Sequence, residues 1–133
     1  MSLLIKKILQ GIKSLNNNKA DKTNITTGVE YKTGRIIDGK EEYGKIINVG
    51  YLESGYKEIA HGITGWTKIT ELEGSFYNES SNTTFTIPRS YPTEMEKYGI
   101  DLTISTTNIM LTCGTNYNGA TFIGIVTVCY LKN

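Results

Sequence analysis

Apolar residues near the N-terminus recur at helical spacing, whereas from Val29 onward they alternate with polar ones in short runs. Ile5, Ile8, Ile12 and Leu15 are separated by steps of three, four and three, the a/d seam of a heptad repeat. Lys6, Lys7 and Lys13 fall on the outer face, and Leu4 and Leu9 widen the apolar stripe. Isoleucine at both seam positions suits the open packing of three or four helices better than that of two. Residues 1–18 are therefore expected to form a short helix acting as a coiled-coil stem, with a homotrimer the preferred state. Four seam residues in each of three chains, at roughly 2 kcal/mol per buried side chain, contribute on the order of 25 kcal/mol. Ordering about 45 residues costs at least as much. Such a stem must be held by a trimeric body or pack onto it. A helix lying on the chain's own core and a basic helix on a membrane surface are the competing readings, and the second lacks an aromatic anchor. Asn16-Asn17-Asn18 ends the helix, because Asn is a poor helix former that tolerates the left-handed cap conformation. Residues 19–28 form a polar, turn-prone linker.

The remainder, residues 29–133, reads as strands. Two runs rich in β-branched and aromatic residues flank Asp38-Gly39, the turn chemistry that closes a tight hairpin. The pattern predicts strands over 29–37, 41–49, 56–60, 66–77, 84–87, 100–105, 108–113 and 122–132. Pro88 stops the fifth, 89–99 is an irregular excursion, Thr106-Thr107 is a tight connection, and Asn118-Gly119 is a turn. Strands at this spacing with Gly and Asn turns predict a mainly β fold, an antiparallel β-sandwich or barrel-like head, carrying the short N-terminal α-helix.

Charge changes the picture in one respect. Residues 1–22 hold five lysines against one aspartate, whereas the other 111 residues carry nine basic and twelve acidic side chains. A nucleic-acid binder is expected to have a basic body, so nucleic acid is set aside as a partner. Lys6 and Lys7 interrupt the N-terminal apolar residues before a secretory signal can form, and no apolar run is long enough to span a bilayer. Membrane insertion is not expected. Cys113 and Cys129 are too few for a disulfide scaffold and read as reduced, partly buried thiols; a hairpin through 116–119 would set Cys113 opposite a residue near position 121.

Tyr31-Lys32-Thr33-Gly34, then Asp38-Gly39-Lys40, Tyr43 and 45–50, read as one pattern that continues through Lys57-Glu58-Ile59-Ala60-His61-Gly62-Ile63 and closes with 126–132. Together these resemble the small β-rich head domain of tail-fibre and baseplate-appendage (receptor-binding) proteins of bacteriophages of Gram-positive hosts. The resemblance implies a coiled-coil stem that trimerises chains beneath a β head, and attachment to host cell-wall saccharide. It also implies other tail or baseplate proteins as partners and a place in the virion tail after assembly in the host cytoplasm. It implies no catalytic residue and no cofactor.

Candidate chemistry is sparse. His61 is the sole histidine, with no Cys or Ser beside it, and reads as structural. Glu71 and Glu73 share a strand face at a separation that overlaps what a glycosidase needs, although a half-solvated strand gives the same pattern. Metal binding would require ligands gathered from scattered carboxylates and is not expected. The Asn-x-Ser/Thr triplets at Asn24, Asn78 and Asn82 read as polar loop. Trp66 at a strand start reads as core. Ligand contact is expected instead at loops that combine tyrosines with amides or arginine: Tyr77, Asn78 and Asn82; Arg89, Tyr91 and Tyr98; Asn116 and Tyr117. Aromatic faces supply apolar area at low entropy cost, and Asn or Arg adds directional hydrogen bonds. A structural adapter contacting only protein and a small cell-wall glycan hydrolase are the alternative functions.

Overall fold

A computed structural model describes residues 2–8 and 24–133. Residues 3–8 are helical (α1), and Leu3, Leu4, Ile5 and Ile8 are exposed on the single chain. The seam residues Ile12 and Leu15, the Asn cap and residues 19–23 of the linker lie outside the described residues. No described helix is long and apolar enough to cross a membrane.

The body consists of β1 (Tyr31–Ile37), β2 (Lys40–Ala60), β3 (Trp66–Asn78), β4 (Thr83–Ile87), a single helical turn α2 (Met95–Tyr98), β5 (Ile100–Ile104) and β6 (Asn108–Lys132). All pairs are antiparallel, in the order β1-β2-β6-β3-β4, with β5 also on β6. The sheet curls into a half-barrel. Asp38 (φ 51°) and Gly39 (φ 76°) close the β1–β2 hairpin in the expected two-residue turn, joining Ile37 to Lys40.

Two expected breaks are absent. The runs 41–49 and 56–60 are one strand, and so are 108–113 and 122–132; no hairpin forms through 116–119 and Asn118-Gly119 does not reverse the chain. The turn-forming residues lie in adjoining stretches of neighbouring strands, Gly50, Ser54 and Gly55 on β2 alongside Asn116 and Gly119 on β6. There they bend the pair instead of ending either strand. From Tyr51↔Ile123 to Gly55↔Cys113 the ladder passes through a single intermediate pair, Glu53↔Asn118, so that most of the extra length on β6 has no partner on β2. Cys113 consequently faces Gly55 and Ile100, and both cysteines are buried free thiols.

Beyond the bend, the first part of β6 is flanked by β5 and the end of β2, and its last part by β3 and the start of β2. A bridge between Arg89 and Ile100 ties the chain after β4 to β5. One core results. Ile109, Leu111 and Cys113 from one part of β6 join Val126, Val128 and Tyr130 from the other, together with Ile47, Val49, Phe76, Ile87 and Ile100. Trp66 packs against this core, as expected. The period-two alternation along β6 is what selects these residues for the interior. Within the excursion the turn α2 was not foreseen; it docks where the Gly114 N–H donates to the Gly99 carbonyl (2.8 Å).

Gly124 lies against the Phe76 ring, where an added Cβ would meet ring carbon at 2.4 Å, and Phe76 is fully buried. Gly124→Ala is expected to lower unfolding free energy by about 1–3 kcal/mol in urea titration, through overpacking.

Candidate functional site

The residues singled out for ligand contact fall into two neighbouring groups at the bulged stretch of β6. The first is built on the β3–β4 turn. The Tyr77 hydroxyl donates to Asn82 Oδ1 (2.7 Å), and Asn78 Oδ1 accepts from the Ser80 and Ser81 amides (2.9 and 3.3 Å), so the turn is held by its own side chains. Tyr77 lies opposite Ile123, which lies opposite Tyr51 on β2. Facing residues on adjacent strands project to one side. Tyr51, Ile123 and Tyr77 thus form a row, with Tyr51 and Ile123 exposed. With Asn78, Glu79, Ser80 and Thr121 the row lines an open depression of about 250 Å³. Two strand spacings, about 9.6 Å, separate the tyrosines, leaving room for a flat ring against either.

The second group surrounds Arg89. Its guanidinium lies 4.5 Å over the Phe85 ring and 5.3 Å from the Tyr91 ring centre. It donates from Nη1 to the Tyr117 hydroxyl (3.2 Å), which donates onward to the Tyr98 carbonyl (2.6 Å). The Tyr91 and Tyr98 rings are 5.2 Å apart, and the Tyr98 and Tyr117 rings meet edge to face at 6.5 Å. Burial pushes the Tyr117 phenol up, against the opposing pull of Arg89. Tyr117, Asn116, Leu52, Gly119, Thr121 and Phe122 line a second depression of about 280 Å³. Thr121 belongs to both depressions, which makes them adjacent. Sequence reasoning missed Tyr51, Thr121 and Ile123: only the cross-strand register aligns them with Tyr77.

The candidate catalytic groups are engaged elsewhere. His61 is buried; its Nδ1 accepts from the Ile63 amide (3.0 Å), which leaves Nε2 to donate to the Ser105 carbonyl (3.0 Å). Both ring nitrogens are occupied by backbone. Glu71 and Glu73 do lie on one face, through their pairing with Cys129 and Thr127, but Glu71 accepts from Arg35 Nη2 (3.1 Å). Among the described residues no group of three His, Cys, Asp or Glu side chains is placed to hold a metal ion. Burial, with Glu42 and Glu71 nearby, pushes the Cys129 thiol up to about 11, so it stays protonated near neutral pH and is a poor nucleophile.

The most heavily bonded carboxylate was not foreseen. Glu42 is fully buried and accepts four hydrogen bonds: from Thr33 Oγ1 (2.7 Å), Thr70 Oγ1 (2.7 Å), Arg35 Nε (2.7 Å) and Arg35 Nη2 (2.9 Å). The β1 ladder is irregular here: three residues on β1, 33–35, lie against Glu42 alone on β2, and Gly34 sits in the bulge with φ 85°. That irregularity aims Thr33 and Arg35 at one carboxylate. Comparison with protein-family models, with curated proteins and with solved structures returns no match.

Burial works to raise the Glu42 carboxyl, but the bonds from Arg35, Thr70 and Thr33 outweigh it and hold it below its ordinary value of 4.5. A depressed carboxyl stabilises the fold above the unfolded-state value, and that contribution is lost as pH falls through the folded one. Glu42→Gln is expected to cost about 2 kcal/mol at neutral pH. It is also expected to flatten the loss of melting temperature on acidification below about pH 4.5 relative to the parent, as read by circular dichroism.

Proposed function

We propose that this chain is a non-enzymatic attachment head of a bacteriophage tail fibre or baseplate, binding cell-wall saccharide of a Gram-positive host. In this reading the N-terminal helix gathers three chains, other tail proteins hold the trimer, and the chain is assembled in the host cytoplasm into the virion tail. The observation that carries it is the row Tyr51–Ile123–Tyr77 beside the amide-bearing turn. It offers two aromatic faces, an apolar floor and directional donors and acceptors in an open depression. Saccharide rings stack on such faces while amides read their hydroxyls. The sequence resemblance to phage head domains and the exposed Leu3, Leu4, Ile5 and Ile8, which need a cover, point the same way.

One observation favours the adapter reading: Ile125 continues the apolar row beside Ile123, and both are exposed. Sedimentation onto isolated Gram-positive cell walls separates the two. An attachment head is expected to co-sediment, with Tyr51→Ala or Tyr77→Ala weakening binding about tenfold, equivalent to about 1.4 kcal/mol. An adapter is expected to stay in the supernatant. Analytical ultracentrifugation is expected to give a trimer that Ile8→Asp dissociates, because the change places unpaired charge in the seam; a monomeric parent overturns the stem.

A further inference from the structure

The outward face of the second part of β6 is covered unevenly. Leu131, Cys129, Thr127, Ile125 and Ile123 share that face through the period-two alternation of the strand. Leu131 and Cys129 are buried, and side chains of β1 lie across them: Arg35 reaches over to Glu42 and Glu71, and the Tyr31 ring lies on Gly44, the partner of Cys129. Ile25 continues this cover, lining with Tyr31, Thr127 and Cys129 a depression of about 370 Å³. There the cover stops. Ile125 and Ile123 are exposed, and Thr127 also borders a groove of about 570 Å³ lined by Glu73, Ser75, Pro88 and Ile125. Before β1 the chain turns back, the Gly28 N–H donating to the Ile46 carbonyl (2.7 Å) and the Val29 N–H to the Thr26 carbonyl (3.1 Å). It leaves the described body at Asn24, one depression away from the groove.

The N-terminal helix carries the complement of this groove. Its six described residues are too few for a helix to persist without cover, yet Leu3, Leu4, Ile5 and Ile8 are all exposed. Ile5 and Ile8 belong to the seam. Leu3 does not: it lies on the opposite side of the helix, flanked by Lys6 and Lys7 three and four positions on, with Leu4 between it and the seam. The groove offers Pro88 and Ile125 as apolar surface, and at its edge Glu73 is exposed and belongs to none of the ion pairs among the described residues. A lysine-rich N-terminus thus faces an acidic body across matching apolar surfaces. Residues 9–23 join the two, and fifteen residues extend to at most about 50 Å, long enough to reach a groove adjacent to Ile25. The contact need only be weak, because a short tether holds its partner at an effective concentration on the order of millimolar. We infer that the groove is the seat of the chain's own N-terminal helix, with Leu3 and Leu4 against Pro88 and Ile125 and Lys6 or Lys7 paired with Glu73. The seam stays free for sister chains, and neither Tyr51 nor Tyr77 borders the groove, so the inference does not rest on the attachment reading. Seated in this way, α1 covers Ile125, whose exposure otherwise favours an adapter.

The test is disulfide trapping in the full chain. Leu3→Cys combined with Ser75→Cys is expected, on mild oxidation, to form a bridge within one chain, seen as a monomer band on a non-reducing gel and mapped by mass spectrometry. Cys129 lies on the same face, and Leu3→Cys alone reports any pairing with it. Adding Glu73→Lys to the pair is expected to slow trapping several-fold. Trypsin gives a second reading on chains without added cysteines. Proteolysis follows the population of undocked helix, so cleavage after Lys6 and Lys7 is expected to be about fivefold faster in Ile125→Asp and in Glu73→Lys than in the parent. Melting temperatures report folding of every variant. A bridge between chains, which seats the helix on a second copy, overturns the inference, and so does the absence of any bridge in a folded double-cysteine variant. If that variant does not fold, cleavage rates decide, and rates unchanged by Ile125→Asp and Glu73→Lys overturn it. Wall co-sedimentation of the parent judges the attachment reading separately in every case.

Discussion

Pairing between β2 and β6 is the constraint on which the rest of the body depends. Every other strand except β4 hydrogen-bonds to one of these two, and β4 reaches them only through β3. Because both strands run through the bend, each contributes to two regions of the sheet, and the two parts of β6 supply the core from both sides. Hydrophobic burial alone is non-directional. The register of this long ladder decides which residues face inward, and a slip of one residue would exchange Val126, Val128 and Tyr130 for Ile125, Thr127 and Cys129. The same register creates the surface row. Tyr51 and Tyr77 flank Ile123 because β6 lies between β2 and β3, so the candidate site is a by-product of core pairing and inherits its rigidity.

A second polar assembly joins the residue before β1 to the end of β6. Glu30 accepts from Tyr130 and from Lys132, whose ammonium also lies 4.5 Å over the Tyr43 ring. Burial raises the Glu30 carboxyl, but Lys132 and Tyr130 outweigh it and leave it below its ordinary value. With Glu42 this makes two carboxylates whose protonation opposes folding. The acid sensitivity of the body is thus concentrated on the flank formed by β1, the residue before it and the start of β2. Arg35 belongs to that flank and is held by two carboxylates, whereas Arg89 is seated against the Phe85 and Tyr91 rings.

Much of this was legible in the sequence. Asp38-Gly39 specified its hairpin because both positions tolerate positive φ, and alternation located part of every strand while missing 50–55 and 114–121. The candidate ligand residues are a sequence expectation, since tyrosine beside amide or arginine is a local pattern. What failed was the meaning of the glycines and asparagines at 50–55 and 116–119. The same residues that reverse one strand bend two when they lie side by side, and adjacency of segments some sixty residues apart is invisible in one dimension. Glu42 was hidden for the same reason, since its partners come from positions 33, 35 and 70.

The distance in sequence between β2 and β6 also bears on how the chain comes to exist. Residues 40–60 meet their main partner only when residues 108–132 are present, so a nascent polypeptide holding everything up to β5 still lacks the strand that organises it. Closure of so long a loop comes first and its reward later, a topology that folds slowly for its size. Until β6 is present, β2 and β3 can pair only with their hairpin partners β1 and β4, and the core to which β6 contributes from both of its parts cannot close.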